Sequence, residues 1–405
     1  MITNHLPWER TIFSEEDTAF ADEVRDFVHS NLDQDVRRRV ICAQPVSLEE
    51  KRVWHATLAR QGWAAPHWPV EWGGTGWSPA KNYLFVETLA EEGAPELSPF
   101  GLQLLAPVLI RYGTEQQKRS YLPKILSGEH RWCQGFSEPG AGSDLASLKT
   151  RAVLDGDQWV INGQKMWTTV AHAADMMFCL VRTDPDAPRP QMGISMLLID
   201  MKNTPGVDVR PIMLLNGERT TNEVYFDNAR VPAANLVGEV NEGWNYTRVV
   251  LGNERLNIAR VGLCKRQLRH LEQVVGRSGL SGEGRKRIRR HIAGVALDLM
   301  SVEALSLRML GRYQLGDAPG FEANFLKLKG AELQQRLTRL LVEATGPSAL
   351  RLGADGEDSN LLKNHFDTRV VSIYGGSSEV QRNIVAKGML GLTKPASTAV
   401  KGARA

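Results

Sequence analysis

Neither an excess of charge, nor paired cysteines, nor a long apolar run marks this 405-residue chain. Lys and Arg number 49 against 46 Asp and Glu, and a net charge of +3 gives no field to recruit nucleic acid or an anionic membrane. The four cysteines, Cys42, Cys133, Cys179 and Cys264, are far apart and form no C-x-x-C pair, which argues against a disulfide framework or a thiolate zinc site. Nine histidines are scattered without an H-x-x-x-H or H-E-x-x-H pattern, so no metal centre is expected. No apolar segment approaches the ~20 residues of a membrane span. The N-terminal stretch carries Glu9, Glu15, Glu16 and Asp17, unlike a signal or transit peptide, and this points to the cytoplasm. A glycine is missing as well. Gly140-Ala141-Gly142 starts like a dinucleotide phosphate loop, but Leu145 stands where the third glycine of G-x-G-x-x-G belongs, and the Rossmann reading fails.

What is present divides into three textures, which gives an α+β organisation. From Ser14 to about residue 130, apolar residues recur at helical spacing (Phe20, Val24, Phe27, Val28; Trp54, Leu58; Leu84, Val86, Leu89), with Thr114 and Gln117 as a capping box. Short β-type runs follow, among them Trp159-Val160-Ile161, Met177–Val181 and Ile194–Ile199, separated by Asp-Gly, Asn-Gly and Pro-rich turns. The helical period returns at about residue 241. The expected domains are 1–131 helical, 132–240 β and 241–395 a helical bundle, with a tail at 396–405. Within the basic run Arg285–His291, a stripe of Ile288, Ile292, Val295 and Leu299 predicts a helix with its arginines in water.

Two stretches carry the chemistry. Trp132–Asp144 supplies Phe136, Ser137, Gly140, Gly142 and Ser143, and Ile161–Thr169 supplies Trp167 and Thr169. Glycines admit a pyrophosphate close to the backbone, hydroxyls offer hydrogen bonds, and an indole is a flat wall for a tricyclic ring, so the pair reads as a flavin site. Together with Ile373-Tyr374-Gly375-Gly376-Ser377-Ser378-Glu379-Val380-Gln381-Arg382 they resemble the acyl-CoA dehydrogenase family over nearly the whole chain. Gly62-Trp63, His67-Trp68-Pro69 and Trp132–Phe136 look most like the large subunit of pimeloyl-CoA dehydrogenases. The resemblance implies a C-terminal four-helix bundle, FAD bound through Phe136, Ser137, Gly142, Ser143, Trp167 and Thr169, and an acyl-CoA near Ser143, Arg255, Tyr374 and Gly375. It further implies conversion to a trans-2-enoyl-CoA, with electrons passed to electron-transfer flavoprotein and a dicarboxyl-CoA as favoured substrate.

Many members place a basic glutamate directly after the tyrosine of the C-terminal motif, where this chain has Gly375. A minority supply it from a helix at the start of the last domain, and Asn253-Glu254-Arg255 fits that pattern. Trp244, Thr247, Leu251, Glu254, Ile258 and Val261 follow the three-four spacing of one helix face, so Glu254 interrupts a largely apolar stripe. Burial moves such a carboxyl toward the range of a general base near neutral pH. The competing acid, Glu379, falls where acids begin a helix. The Arg-x-x-Phe-Gly motif by which homotetrameric relatives complete a neighbour's flavin site is absent, with Arg289–Gly294 near its place. An α2β2 assembly with a related small subunit is therefore expected. The alternatives are a non-catalytic partner subunit, or a dehydrogenase of branched, aromatic or terpenoid acyl-CoA.

Overall fold

The computed structural model describes residues 13–250, 258–316, 320–350 and 359–392. The expectations placed on Glu9, Glu254, Arg255 and the tail after Thr393 lie outside them. The first helices are α1 (Glu15–Asn31), α2 (Gln34–Ile41), α3 (Leu48–Arg60), α4 (Pro79–Glu91), α5 (Ala106–Tyr112) and α6 (Glu115–Ser127). Side-chain caps define their starts: Ser14 and Ser47 form capping boxes with Asp17 and Glu50, and Thr114 does so with Gln117. Phe20, Val24, Val28, Trp54 and Leu58 pack with Trp63 and Phe85 into one aromatic core. A π-helical turn at Phe100–Leu105 precedes α5. Its Leu102 carbonyl accepts from Trp68 Nε1 at 2.8 Å and from His67 Nε2 at 3.3 Å, so the two rings brace an irregular backbone.

The middle of the chain forms one seven-stranded sheet: β1 (Trp132–Gly135), β2 (Arg151–Asp155), β3 (Gln158–Thr169), β4 (Met176–Arg182), β5 (Ile194–Asp200), β6 (Val207–Ile212) and β7 (Thr221–Pro232). The order is β1-β4-β2-β3-β7-β6, with β5 paired antiparallel to β4. Met176 to Val181 of β4 are all buried, as suits a strand covered on both faces.

Helices resume with α7 (Gly243–Val250), α8 (Val261–Arg277), α9 (Gly282–Gln314), α10 (Glu322–Thr345), α11 (Leu361–Asp367) and α12 (Ser378–Gly388). Ile288, Ile292, Val295 and Leu299 are buried in the core shared by α8, α9 and α10, as their spacing predicts. The single helix expected across Trp244–Val261 is not found. Ile258 and Ala259 form a turn, Arg260 is left-handed at φ 55°, and α8 starts only at Val261. Val261 therefore begins a helix of its own after the turn at Ile258–Arg260. Instead α7 packs on β5, α5 and the π-turn, with Trp244 and Tyr246 against the core of the sheet and the first helices.

Between α4 and α8 lies a polar seam. Glu87 of α4 is buried and its carboxylate accepts the Gly262 N–H, capping a helix whose own N-cap residue, Arg260, makes no side-chain cap. The approach is tight, since a Cβ on Gly262 would lie 2.3 Å from the Glu87 carbonyl oxygen. Lys265 and buried Glu303 pair beside it at 2.6 Å. Burial lifts the Glu87 carboxyl from 4.5 to about 7; the Gly262 N–H and the Lys265 charge oppose the shift, and Glu303 and Glu91 reinforce it. The folded chain thus holds a proton that the unfolded chain releases near 4.5. This contribution to stability is fully present below that pH and lost as pH rises through about 7. Glu87→Gln is expected to flatten the fall in unfolding free energy over this window, on the order of 3 kcal/mol. Denaturant unfolding at a series of pH values checks it; an unchanged slope would place the titration elsewhere.

Candidate flavin and acyl site

The two sequence stretches meet where the chain leaves β1. Met166 N–H donates to the Ser137 carbonyl at 2.8 Å, and Glu138 and Ala141 exchange backbone hydrogen bonds at 2.9 and 3.1 Å. A fully buried side chain locks this junction: Lys165 Nζ lies 2.7 Å from Glu138 Oε1 and donates to the Phe136 carbonyl at 3.2 Å. The Glu138 carboxylate also accepts from Lys149 N–H at 2.6 Å and Thr150 N–H at 2.9 Å. Burial alone would raise its pKa, but the Lys165 charge and these donors hold it below the usual carboxylate range. The pattern in β3 did not disclose this pair. The only signal was parity, because Lys165 falls on the side where Trp159 and Ile161 are buried.

One residue beyond Met166, the strand breaks register. Lys165 pairs with Val224 and Thr168 with Asn222, so Met166 and Trp167 form a bulge. Trp167 sits there at φ 64°, a conformation that disfavours a bulky side chain, and its indole is 54% exposed. A strained backbone that turns a large aromatic outward is a mark of a ligand wall. Beyond it Thr169 is half-buried, and the buried Thr168 hydroxyl has no hydrogen-bond partner. Gly140, Gly142 and Ser143 are exposed, and a Cβ on either glycine would meet nothing within 4 Å. The chain's own packing does not demand glycine at these two positions, whereas a group lying against the backbone would. These features fit an isoalloxazine and its phosphates. Phe136 reaches the junction through its backbone, its carbonyl accepting from Lys165 Nζ, while its ring is buried edge-on to Phe178, 5.5 Å between centroids.

The C-terminal motif forms a second, exposed element. Tyr374 is 52% exposed, and Gly375 and Gly376 follow at φ 63° and 88°. Glycine is needed here because both residues are left-handed. A Cβ on Gly375 would meet open space. Gln381 Nε2 donates to the Gly375 carbonyl at 3.0 Å and Lys327 Nζ to that of Gly376 at 2.7 Å, which fixes the turn from α12 and α10. Glu379 is exposed in the first turn of α12 behind the Ser377 cap; its own N–H and the Ser377 hydroxyl hold its carboxyl below the usual range.

The two elements are joined through the β6–β7 hairpin. Val170 N–H donates to the Thr220 carbonyl at 2.8 Å, Glu218 pairs with Lys363 at 3.0 Å, and Asn216 Nδ2 donates to Asp367 at 3.2 Å on α11, seven residues before Tyr374. On the other side, Arg260 pairs with Glu96 of the α4–π-turn connection, and its charge reaches Tyr374. Sequence reasoning passed over both Glu96 and Arg260. Among the described residues no group of three or more His, Cys, Asp or Glu is placed to hold a metal ion, and no helix is long and apolar enough to cross a membrane.

Comparison with known proteins agrees with this architecture. Models of the acyl-CoA dehydrogenase N-terminal, middle and C-terminal domains match residues 14–129, 133–229 and 241–390. Acyl-CoA dehydrogenase IpdE1 of Mycobacterium tuberculosis is 40% identical over 354 residues, 86% of this chain and 90% of that protein. A solved structure titled Tcur3481-Tcur3483 steroid ACAD is similar at TM-score 0.81 and 32% identity, covering 95% of this chain and 99% of that one. The ChsE4-ChsE5 complex of Mycobacterium tuberculosis is similar at TM-score 0.80 and 30% identity, over 95% and 99%. Fold and site thus define an FAD-dependent oxidoreductase acting on CH–CH groups. The chain belongs to the acyl-CoA dehydrogenase family.

Proposed function

We propose that the chain dehydrogenates a bulky, ring-bearing acyl-CoA to its trans-2-enoyl-CoA in a heteromeric enzyme that passes electrons to electron-transfer flavoprotein. The observation carrying this reading is the exposed Trp167, held on a left-handed bulge beside the Ser137 junction by buried Lys165 and Glu138. Trp167 forms the ring wall, Ser137 and Thr169 offer hydrogen bonds near it, and Gly142 and Ser143 lie at the phosphates. FAD, when bound there, supplies the hydride acceptor. Glu254 removes the proton next to the thioester carbonyl, Arg255 supports the acyl-CoA, and Tyr374 with Gly375 shapes the acyl cleft. The demand is geometric: the base must stand across the acyl chain from the acceptor.

The steroid title of a 32% identical structure supports a ring-bearing acyl group. The dicarboxyl alternative, with pimeloyl-CoA as its example, rests on Gly62-Trp63, His67-Trp68-Pro69 and Trp132–Phe136. Yet Trp63, Trp68, Trp132, Cys133 and Phe136 are buried in cores, where they report packing rather than substrate. For a partner, the ChsE4-ChsE5 structure is titled a complex and the steroid structure's title joins two names, and α9 presents an open apolar groove lined by Leu297, Met300, Ala304, Leu307 and Gly311. The non-catalytic reading draws on Gly375, but that residue's φ of 63° marks a site built for glycine rather than one that has simply lost a glutamate. Flavin bleaching by a panel of acyl-CoA thioesters, with and without a co-expressed small subunit, tests the proposal. Ring-bearing thioesters are expected to bleach fastest, and FAD content to rise with the partner. Full FAD loading by the chain alone would remove the heteromer, and a preference for pimeloyl-CoA would restore the dicarboxyl reading.

A further inference from the structure

We infer that Asn222 is a positioning residue for the flavin: its side-chain amide, with the His172 ring behind it, holds the main chain between Trp167 and Val170 in the shape that presents the indole. The inference rests on the reading above that makes Trp167 the ring wall.

Two left-handed residues stand three apart where β3 ends. Trp167 has φ 64° and Val170 φ 54°. Bulky residues avoid that region, and so do β-branched ones. Such a backbone persists only where its surroundings hold it. The bulge sets Met166 and Trp167 against Glu223 alone, and pairing resumes at Thr168 with Asn222. There the fully buried Asn222 does more than pair. Its Nδ2 donates to the Thr168 carbonyl at 2.9 Å, and its Oδ1 lies 3.1 Å from His172 Nδ1 on the short turn Ala171–Ala173. One amide thus ties the residue after the first left-handed position to the turn that follows the second. Among the described residues the hydroxyls of Thr168 and Thr221, both shielded from water, have no hydrogen-bond partner, so neither shares the task.

The direction of each bond is settled by chemistry. A carbonyl oxygen only accepts, so Nδ2 faces Thr168 and Oδ1 faces the ring, which makes His172 Nδ1 the donor. The Val170 N–H is engaged separately, by the Thr220 carbonyl at 2.8 Å. Without the amide, the Thr168 carbonyl would lose its side-chain donor and the chain would relax at Trp167. Binding the flavin would then have to restore the presenting shape, and affinity would fall.

The test uses the FAD-loaded full chain, with its partner subunit where loading requires one, and reads the fluorescence of bound flavin and the FAD dissociation constant. An indole against the ring quenches flavin fluorescence. Asn222→Ala is expected to raise the fluorescence of the bound flavin and to weaken FAD binding by about 10- to 100-fold. Asn222→Asp keeps the size of the side chain and an acceptor for His172 but loses the donor to Thr168, and is expected to match Asn222→Ala. His172→Gln, which still has a donor for Oδ1, is expected to stay near wild type, and His172→Ala to follow the Asn222 variants. Wild-type fluorescence and affinity in Asn222→Asp overturn the inference. So does a lower denaturation midpoint with unaltered fluorescence of the bound flavin, which is what a purely structural amide would give. Trp167→Leu separates the two readings. If it leaves fluorescence and affinity at wild-type values, the indole is not the ring wall and the site reading falls; if it changes both while the Asn222 variants change neither, only the inference about Asn222 falls.

Discussion

Glu254→Gln is expected to lower the rate of flavin reduction by about 10²- to 10⁴-fold while FAD content stays at the wild-type level, since this is the usual contribution of a positioned general base. The amide keeps the size and hydrogen-bonding character of the side chain but cannot accept the proton. Two readouts are needed together: anaerobic stopped-flow reduction by substrate, and the flavin-to-protein absorbance ratio. A variant that binds FAD and reduces it at the wild-type rate would transfer the role to another acid. Glu379 is the natural second candidate, and its place in the first turn of α12, exposed and stabilised as the anion, makes it a poor base. Parallel loss of FAD and rate would instead mean that Glu254 supports the cofactor site rather than the chemistry.

Lys165→Met is expected to act through the fold and the flavin at once. It removes the cation from a buried pair and leaves the Glu138 carboxylate with backbone donors alone. Breaking one side of such a pair costs about 3–5 kcal/mol. The same substitution frees the Phe136 carbonyl and loosens the junction that presents Ser137 beside the Trp167 bulge. Chemical denaturation reports the first effect and FAD retention on dilution reports the second. The double variant Lys165→Met/Glu138→Gln is expected to recover part of the stability, because no uncompensated charge is left behind, but not the flavin affinity. Equal stability of the single variant and wild type would show that Glu138 is satisfied without its lysine.

Much of the architecture was legible because periodicity and caps agree. Thr114 with Gln117, the stripe Ile288–Leu299 and the runs that became β4 and β5 read directly from residue types, since a capping pair, a helical stripe and a β-type run each leave a pattern within one short stretch of chain. Contacts between distant segments were not legible. The three-four rule that singles out Glu254 applies equally to Glu87, whose carboxylate instead caps α8 from another helix. Spacing shows that an acid faces the interior and says nothing of what it meets. Continuity across Trp244–Val261 also failed, because no local residue type announces the left-handed Arg260. At the candidate site, motif reading singled out Trp167, Gly142 and Ser143 as expectations, whereas the strain at Trp167 follows from pairing with β7, more than fifty residues away, and the lock beneath it from Glu138, 27 residues back in the chain.

The bulge at Trp167 has a consequence for any attempt to harden this protein. Glycine or asparagine at that position would relax the backbone and raise the melting point, and a screen that scores heat resistance alone would reward it. The same change would strip the outward-facing indole from the sheet. On the proposed site, robustness and readiness for the cofactor therefore pull in opposite directions at one residue, and a hardened descendant of this chain has to find its gains elsewhere.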